Sequence, residues 1–240
     1  MNIALIFAGG TGQRMNTKTL PKQFLELHGK PIIIYTLEVF DRIDEIDAIV
    51  VVCVDGWHDY LRRMLKKFGI EKVAAIVGGG ATGQDSIRNG IDCIAGRWPG
   101  DSIVLIHDGV RPLIDAETIR ACIDCARENG NAVTVAPAVE TVTIAGPEPG
   151  LVGEIIERKR CSMAKAPQCY RLEDLTRVEA RADADGRHDF IDTATMMNHY
   201  GYPLHTVTGS PMNIKITNPT DFYIFRAIVD AMENSQIFGL

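Results

Sequence analysis

The chain has no apolar run near the ~20 residues that cross a membrane as a helix, which excludes a helical integral membrane protein. Met1 leads straight into an apolar run without the charged-then-apolar pattern of a secretory leader, so the expected location is cytoplasmic. Basic stripes are also missing: the net charge is −6, and positive charge clusters only in short stretches such as Arg158-Lys159-Arg160. That balance argues against a nucleic-acid surface, although a few local cations can still build a pocket for a small anion. Six cysteines fit buried reduced thiols better than a disulfide framework. Cys122 and Cys125 form a C-x-x-C inside a helix-like stretch with no second pair nearby, so no zinc or redox role is expected. No internal repeat, low-complexity tract or disordered linker interrupts the chain.

What the sequence does contain is a rhythm. Apolar, β-rich runs at residues 2–8, 47–54, 73–77, 102–106 and 131–136 alternate with helix-like stretches. Such alternation predicts an α/β fold: a doubly wound, mostly parallel Rossmann-like sheet with helices on both faces. With 240 residues, 46% of them apolar, one domain spanning 1–240 is expected. Residues 138–165 break the rhythm. Val139 to Ile144 alternates, Gly146 to Gly153 is rich in Gly and Pro, and Glu154 to Arg158 alternates again, which predicts a hairpin. A hairpin leaving an α/β core is poorly stabilised alone, so it either packs on another molecule or folds back on its own core.

Ligands on such sheets bind at the carboxyl ends of the strands. Three candidate loops fall there: Ala8-Gly9-Gly10-Thr11-Gly12-Gln13-Arg14-Met15, the turn Gly78-Gly79-Gly80, and His107-Asp108. The first loop fits neither common phosphate-binding spacing. A dinucleotide fingerprint from Gly10 needs a glycine where Met15 stands, and a Walker loop from Gly9 needs Gly-Lys-Ser/Thr where Arg14 begins. What remains is a glycine cradle with Arg14 on its rim and Lys22 nearby, in Pro21-Lys22-Gln23-Phe24. Two fixed cations beside a triphosphate suit nucleotidyl transfer, because attack on the α-phosphate adds negative charge that they stabilise. A glycine turn with two surface cations is the alternative. Asp108 at a strand end can serve a ribose, a metal or a helix N-terminus. Lys215, alternating with Ile214 and Ile216 as in a strand, can serve a phosphate if it lies at the sheet rim. His107 is expected to order a strand end, and the other five histidines to be surface or packing residues. No His/Asp/Glu cluster suggests a metal cage built by protein alone.

Five ordered blocks together resemble the cytidylyltransferases of sugar-alcohol phosphates. They are Ala8 to Met15 with Pro21-Lys22-Gln23; Gly79-Gly80 with Ser86; His107-Asp108-Gly109-Val110-Arg111-Pro112; Ala166-Pro167-Gln168; and Asn213-Ile214-Lys215-Ile216-Thr217. That family includes the methylerythritol-phosphate enzymes of isoprenoid synthesis and the ribitol-phosphate enzymes of wall and capsule synthesis. The resemblance implies transfer of CMP from CTP to a polyol phosphate, with Mg2+ bound to the CTP phosphates. It implies Arg14, Lys22 and Lys215 as catalytic cations, and Ala8, Gly9, Gly10, Gly12, Gly79, Gly80, Ser86, Asp108 and Gly109 around the nucleotide. Asp108, Arg111, Thr141, Arg158, Ala166, Ile191 and Asp192 fall at the polyol phosphate. It also implies a homodimer clasped by the 138–165 arm, which brings Arg158 to the neighbour's site.

The chain departs from the family pattern at three positions. Gly83 stands where an Arg is usual, and Ala166 and Ile191 stand where Thr is usual. Two lost hydroxyls remove partners that a buried substrate hydroxyl would want. Ala8-Gly9-Gly10, Leu20 before Pro21, and Val110 look more like the ribitol-phosphate branch, so D-ribitol 5-phosphate or a related polyol phosphate is the expected substrate. 2-C-methyl-D-erythritol 4-phosphate is the alternative, and a catalytically idle nucleotide-binding subunit on the same fold is another.

Overall fold

Strand β1 (Asn2–Ala8) sends Ala4, Ile6 and Ala8 to one face and Ile3 and Leu5 to the other, all of them buried. Both faces must therefore be covered, and the rest of the chain supplies the covers. The computed structural model describes residues 1–10 and 20–238. After β1 come a two-residue ladder of β2 (Glu26–Leu27) and β3 (Lys30–Pro31), α1 (Ile32–Asp41), β4 (Ala48–Cys53), α2 (His58–Phe68), β5 (Val73–Gly78), α3 (Gly83–Ala95) and β6 (Ile103–Asp108). They are followed by α4 (Ala116–Asn129), β7 (Asn131–Pro137), β8 (Val142–Ala145), β9 (Val152–Ile156), β10 (Ser162–Arg171), α5 (Leu172–Ala184), α6 (Thr193–His199), β11 (Thr206–Thr208) and α7 (Pro219–Phe238).

Seven strands form the central sheet in the order β11-β7-β10-β6-β1-β4-β5. All run parallel except β10, which is antiparallel to both of its neighbours. Helices α1, α2 and α4 bury Leu37, Leu61 and Ile123 on one face, and α3, α5 and α6 bury Ile94, Leu175 and Met197 on the other. Gly90 lets α3 sit directly on the sheet, since a Cβ there would lie 2.3 Å from Leu5 Cδ1.

Two features of this topology make the site. Successive strands β1, β4 and β5 step outward in one direction, whereas β6 returns to the other side of β1, so a crevice opens between the carboxyl ends of β1 and β6. Strand β10 pairs with β7 through Ser162–Ala164 and again through Gln168–Tyr170, with a register shift between. Pro167 has no N–H for the ladder, and the break at Lys165 and Ala166 faces the same crevice.

Two expectations need correction. Strand β6 does not stop at Ile106: His107 and Asp108 are its last residues, paired with Ile6 and Phe7. The segment Asn213–Thr217 is not a strand despite its alternation. Its amides are used irregularly, Asn213 N–H to Ser210, Ile214 N–H to Met212 and Ile216 N–H to Val110, which leaves no continuous ladder. The arm is a hairpin, with β8 and β9 forming their own two-stranded sheet. It does not fold back on the core: Val139, Ile144, Leu151, Val152 and Ile155 are all exposed along it.

Candidate active site

The crevice holds a cavity of about 420 Å³. At its polar end Asp108, carried on the last residue of β6, accepts from Lys215 Nζ at 2.7 Å on one oxygen and from Arg111 Nε at 2.8 Å on the other. Burial acts to raise the Asp108 carboxyl, but Lys215 and then Arg111 outweigh it and hold the group down at about 2. Asp108 is therefore an anion at neutral pH. Arg111 also donates to the Asn213 carbonyl at 3.0 Å, which ties the β6 turn to the Lys215 segment. Buried Asn213 in turn donates to the Ala166 carbonyl at 2.7 Å. These bonds converge three of the quoted sequence blocks on one point.

His107 is fully buried, and burial drives its imidazole down to about 4, so it is neutral. Its Nε2–H donates to the Arg111 carbonyl at 3.2 Å, so it orders the strand end rather than reacting. Lys165, at the break in β10, donates to the carbonyls of Pro211 and Asn213, both at 3.1 Å. Burial and then the Arg111 charge lower its ammonium pKa. No local pattern marks Lys165 beyond its place next to Ala166-Pro167-Gln168.

The glycine turns meet beside this cluster. Gly9 and Gly79 approach so closely that a Cβ on either would touch Ser86 Oγ, at 3.3 and 3.4 Å. Ser86 accepts from the Gly80 N–H at 2.9 Å and donates to the Thr82 carbonyl at 2.8 Å, so its hydroxyl shapes the turn. A Cβ on Gly80 would lie 2.4 Å from Asp85 Cβ, which only glycine avoids. Gly109 N–H donates to the Phe7 carbonyl at 2.8 Å. Gln23, which its sequence block marks only by position, donates its amide to Ala8 O at 2.7 Å and Gly10 O at 3.2 Å. That bond fastens the turn carrying Lys22 to the start of the glycine loop, and Phe24 anchors the same turn by stacking on Trp57. Gly12 and Arg14 lie outside the described residues.

Asp108, Arg111, Ala166, Ile191, Asp192 and Lys215 all line the cavity. Asp192 is occupied: it caps α6 through Thr195 and accepts from Gln168 Nε2 at 3.0 Å. Ile191 is 93% exposed at the mouth. Thr141 and Arg158 do not line the cavity. They sit on the arm, where Arg158 donates to the Val139 carbonyl at 3.2 Å.

Donor chemistry limits what metal this site can take. Among the described residues the one His/carboxylate cluster of metal-binding closeness is His28, Asp230 and Glu233, none of which lines the cavity. At the crevice Asp108 carries its own two cations. The donor set fits a divalent ion that arrives with phosphate oxygens and not one caged by protein.

A glycine-lined crevice at a switch point, with a cationic cluster at one end, defines a nucleotide-binding α/β protein of the nucleotidyltransferase type. The IspD family model, 2-C-methyl-D-erythritol 4-phosphate cytidylyltransferase, matches residues 2–231, and the chain belongs to that family. It is 50% identical over 239 residues, all of both chains, to the ribitol-5-phosphate cytidylyltransferase of Vibrio parahaemolyticus serotype O3:K6. To the 2-C-methyl-D-erythritol 4-phosphate cytidylyltransferase of Syntrophus aciditrophicus it is 33% identical over 232 residues, 96% of this chain and 97% of that one. In fold it superposes on 4-diphosphocytidyl-2C-methyl-D-erythritol synthase from Anaerococcus prevotii with a TM-score of 0.81 at 24% identity, covering 95% and 96% of the two chains.

Proposed function

We propose that the protein transfers CMP from CTP to a polyol phosphate, releasing pyrophosphate, and that D-ribitol 5-phosphate is the preferred acceptor. The observation that carries the transfer reading is the Lys215–Asp108–Arg111 cluster facing the cavity at the carboxyl ends of β1 and β6. It is supported by 50% full-length identity to a protein named for ribitol 5-phosphate, against 33% to one named for methylerythritol phosphate.

The nucleotide lies across the carboxyl ends of β1 and β6, with its base against Gly79, Gly80 and Ser86, where backbone can approach closely. Asp108 and Gly109 face the ribose region. The acceptor's phosphate oxygen is the nucleophile at the α-phosphorus, and pyrophosphate leaves in line. Lys22, Lys215 and Arg14 hold positive charge where negative charge grows, so no covalent intermediate or strong base is required. Mg2+ arriving with the CTP phosphates would supply further charge neutralisation at this end of the crevice. Lys215 starts paired to Asp108, which holds its ammonium in place before substrate arrives and spares reorganisation during reaction.

The arm completes the site from a second copy of the chain. Its Ile144 and Ile155, on opposite faces of the hairpin, and Leu151 and Val152 near its turn are exposed apolar side chains that no described residue covers. In a homodimer the arm brings Thr141 and Arg158 to the partner's cavity, where an Arg can grip the acceptor phosphate through two bonds. The enzyme works in the cytoplasm, where its unpaired cysteines stay reduced. The test is pyrophosphate release with ribitol 5-phosphate and each of CTP, UTP, GTP and ATP. Turnover with CTP alone is expected, and release with UTP or GTP at equal rate contradicts the reading.

A further inference from the structure

The cavity continues past the cationic cluster to an inner end between α3, α5 and α6, lined by Gln84, Ile87, Glu179, Phe190, Thr193 and Met196. Most polar side chains along this wall are already spent on the scaffold. Gln84 donates to the Arg187 carbonyl and accepts from Phe190 N–H. Gln168 donates to Asp192 and accepts from Ala194 N–H and the Tyr170 hydroxyl. Glu179 is different: it is 5% exposed, lines the cavity, and makes no hydrogen bond or ion pair with any described residue. The nearby Arg88 is committed to Asp183 and Asp92. Thr193 is likewise buried with a hydroxyl that bonds no described residue.

An unpaired buried carboxyl costs stability, and a Leu or Met would serve the packing of α5 better. Burial, together with the negative charges of Asp92, Asp183 and Asp85, raises the Glu179 carboxyl to about 7 even though Arg88 opposes this. Two unspent polar groups beside Ile87, Phe190 and Met196 are arranged for a ligand that brings its own hydroxyls. The cations Lys215 and Arg111 at the opposite end draw a phosphate there, which directs the other end of a phosphorylated chain toward Glu179.

We propose that Glu179 and Thr193 form a hydroxyl-binding subsite for the end of the polyol farthest from its phosphate, and that Glu179 thereby selects longer polyols over shorter ones. The carboxyl accepts from substrate hydroxyls, and the Thr193 hydroxyl donates or accepts as needed. This inference rests on the polyol-phosphate reading above.

The test compares wild type with Glu179→Gln and Glu179→Leu, measuring pyrophosphate release with CTP and ribitol 5-phosphate, and glycerol 3-phosphate as short substrate or competing inhibitor. Thermal melts accompany the kinetics. In Glu179→Leu the KM for ribitol 5-phosphate should rise about tenfold, as expected for one lost hydrogen bond to a charged or buried group. The KM for CTP and the constant for glycerol 3-phosphate should stay within about twofold, and the melting temperature should hold or rise, because a merely structural Glu would lower it. An unchanged ribitol 5-phosphate KM in both variants overturns the inference. Equal losses for long and short polyols, or lower melting temperatures in both variants, also overturn it. Wild-type enzyme that turns over no polyol phosphate overturns the functional reading and this inference with it, whereas active wild type with unaffected variants overturns the inference alone.

Discussion

Replacing Asp108 with Asn removes the one charge that holds Lys215 and Arg111 together. The side chains of Asp108 and Arg111 are only 16% and 12% exposed, so Arg111 would keep a largely buried charge with the Asn213 carbonyl and the Asn amide oxygen as its neutral partners among the described residues. Breaking a fully buried pair costs about 3–5 kcal/mol, whereas an exposed pair is worth about 0–1 kcal/mol. Lys215 is 39% exposed and the Asn amide oxygen still accepts one bond, so an intermediate loss of about 2 kcal/mol is expected. For a chain of this size that lowers the melting temperature by about 4–8 °C at pH 7. The sign with pH follows from the depressed carboxyl. Its folded value of about 2 lies below the ordinary 3.8, so its stabilisation is present above about pH 4 and is lost as pH falls toward 2. Urea unfolding of wild type and Asp108→Asn at pH 7, 5, 4 and 3 should show a gap that narrows over the last two points. A gap absent at pH 7, or constant down to pH 3, refutes the reasoning.

Further outcomes follow from the same geometry. Lys22→Ala should lower turnover at least ~100-fold with the melting temperature little changed, because a fixed donor at developing charge is worth several kcal/mol; near wild-type turnover in the folded variant contradicts its role. Arg14→Ala should do the same, checked in the same assay. Arg158→Ala should weaken use of the polyol phosphate while leaving CTP binding by calorimetry nearly intact. Mixed with Lys22→Ala, and after pull-down proof of subunit exchange, it should regain activity through hybrids that carry one complete site. Hybrids without activity place Arg158 in its own subunit's function or in none.

Much of the frame was legible because burial on both faces of a parallel sheet leaves continuous apolar runs. Residues 2–8 and 131–136 read correctly nearly to the residue, against Asn2–Ala8 and Asn131–Pro137 in the structure. Glycine turns were legible for a related reason, since Gly9, Gly79 and Gly80 stand where backbone must pass close to other atoms. The antiparallel strand β10 was not legible, because Pro167 and its register shift divide it into two short pairings that carry no single period. Asn213–Thr217 misled in the opposite sense: Ile216 is buried and Lys215 pairs with Asp108, which imitates strand alternation without a ladder. Glu179 could not be found from sequence, since a Glu on an amphipathic helix ordinarily faces water, and only the packing of α3 against α5 buries it. Gln23 and Lys165 act through contacts with carbonyls distant in sequence, which no local pattern encodes.

The most direct test of the proposed activity is the ratio of kcat/KM for ribitol 5-phosphate to that for 2-C-methyl-D-erythritol 4-phosphate, measured by pyrophosphate release with Mg2+ and CTP. The proposed acceptor is ribitol 5-phosphate, the substrate in the name of the relative that is 50% identical over its full length. The expected result is a ratio well above one. A ratio at or below one contradicts the choice of acceptor, and no pyrophosphate from either substrate contradicts the assignment as a cytidylyltransferase of polyol phosphates.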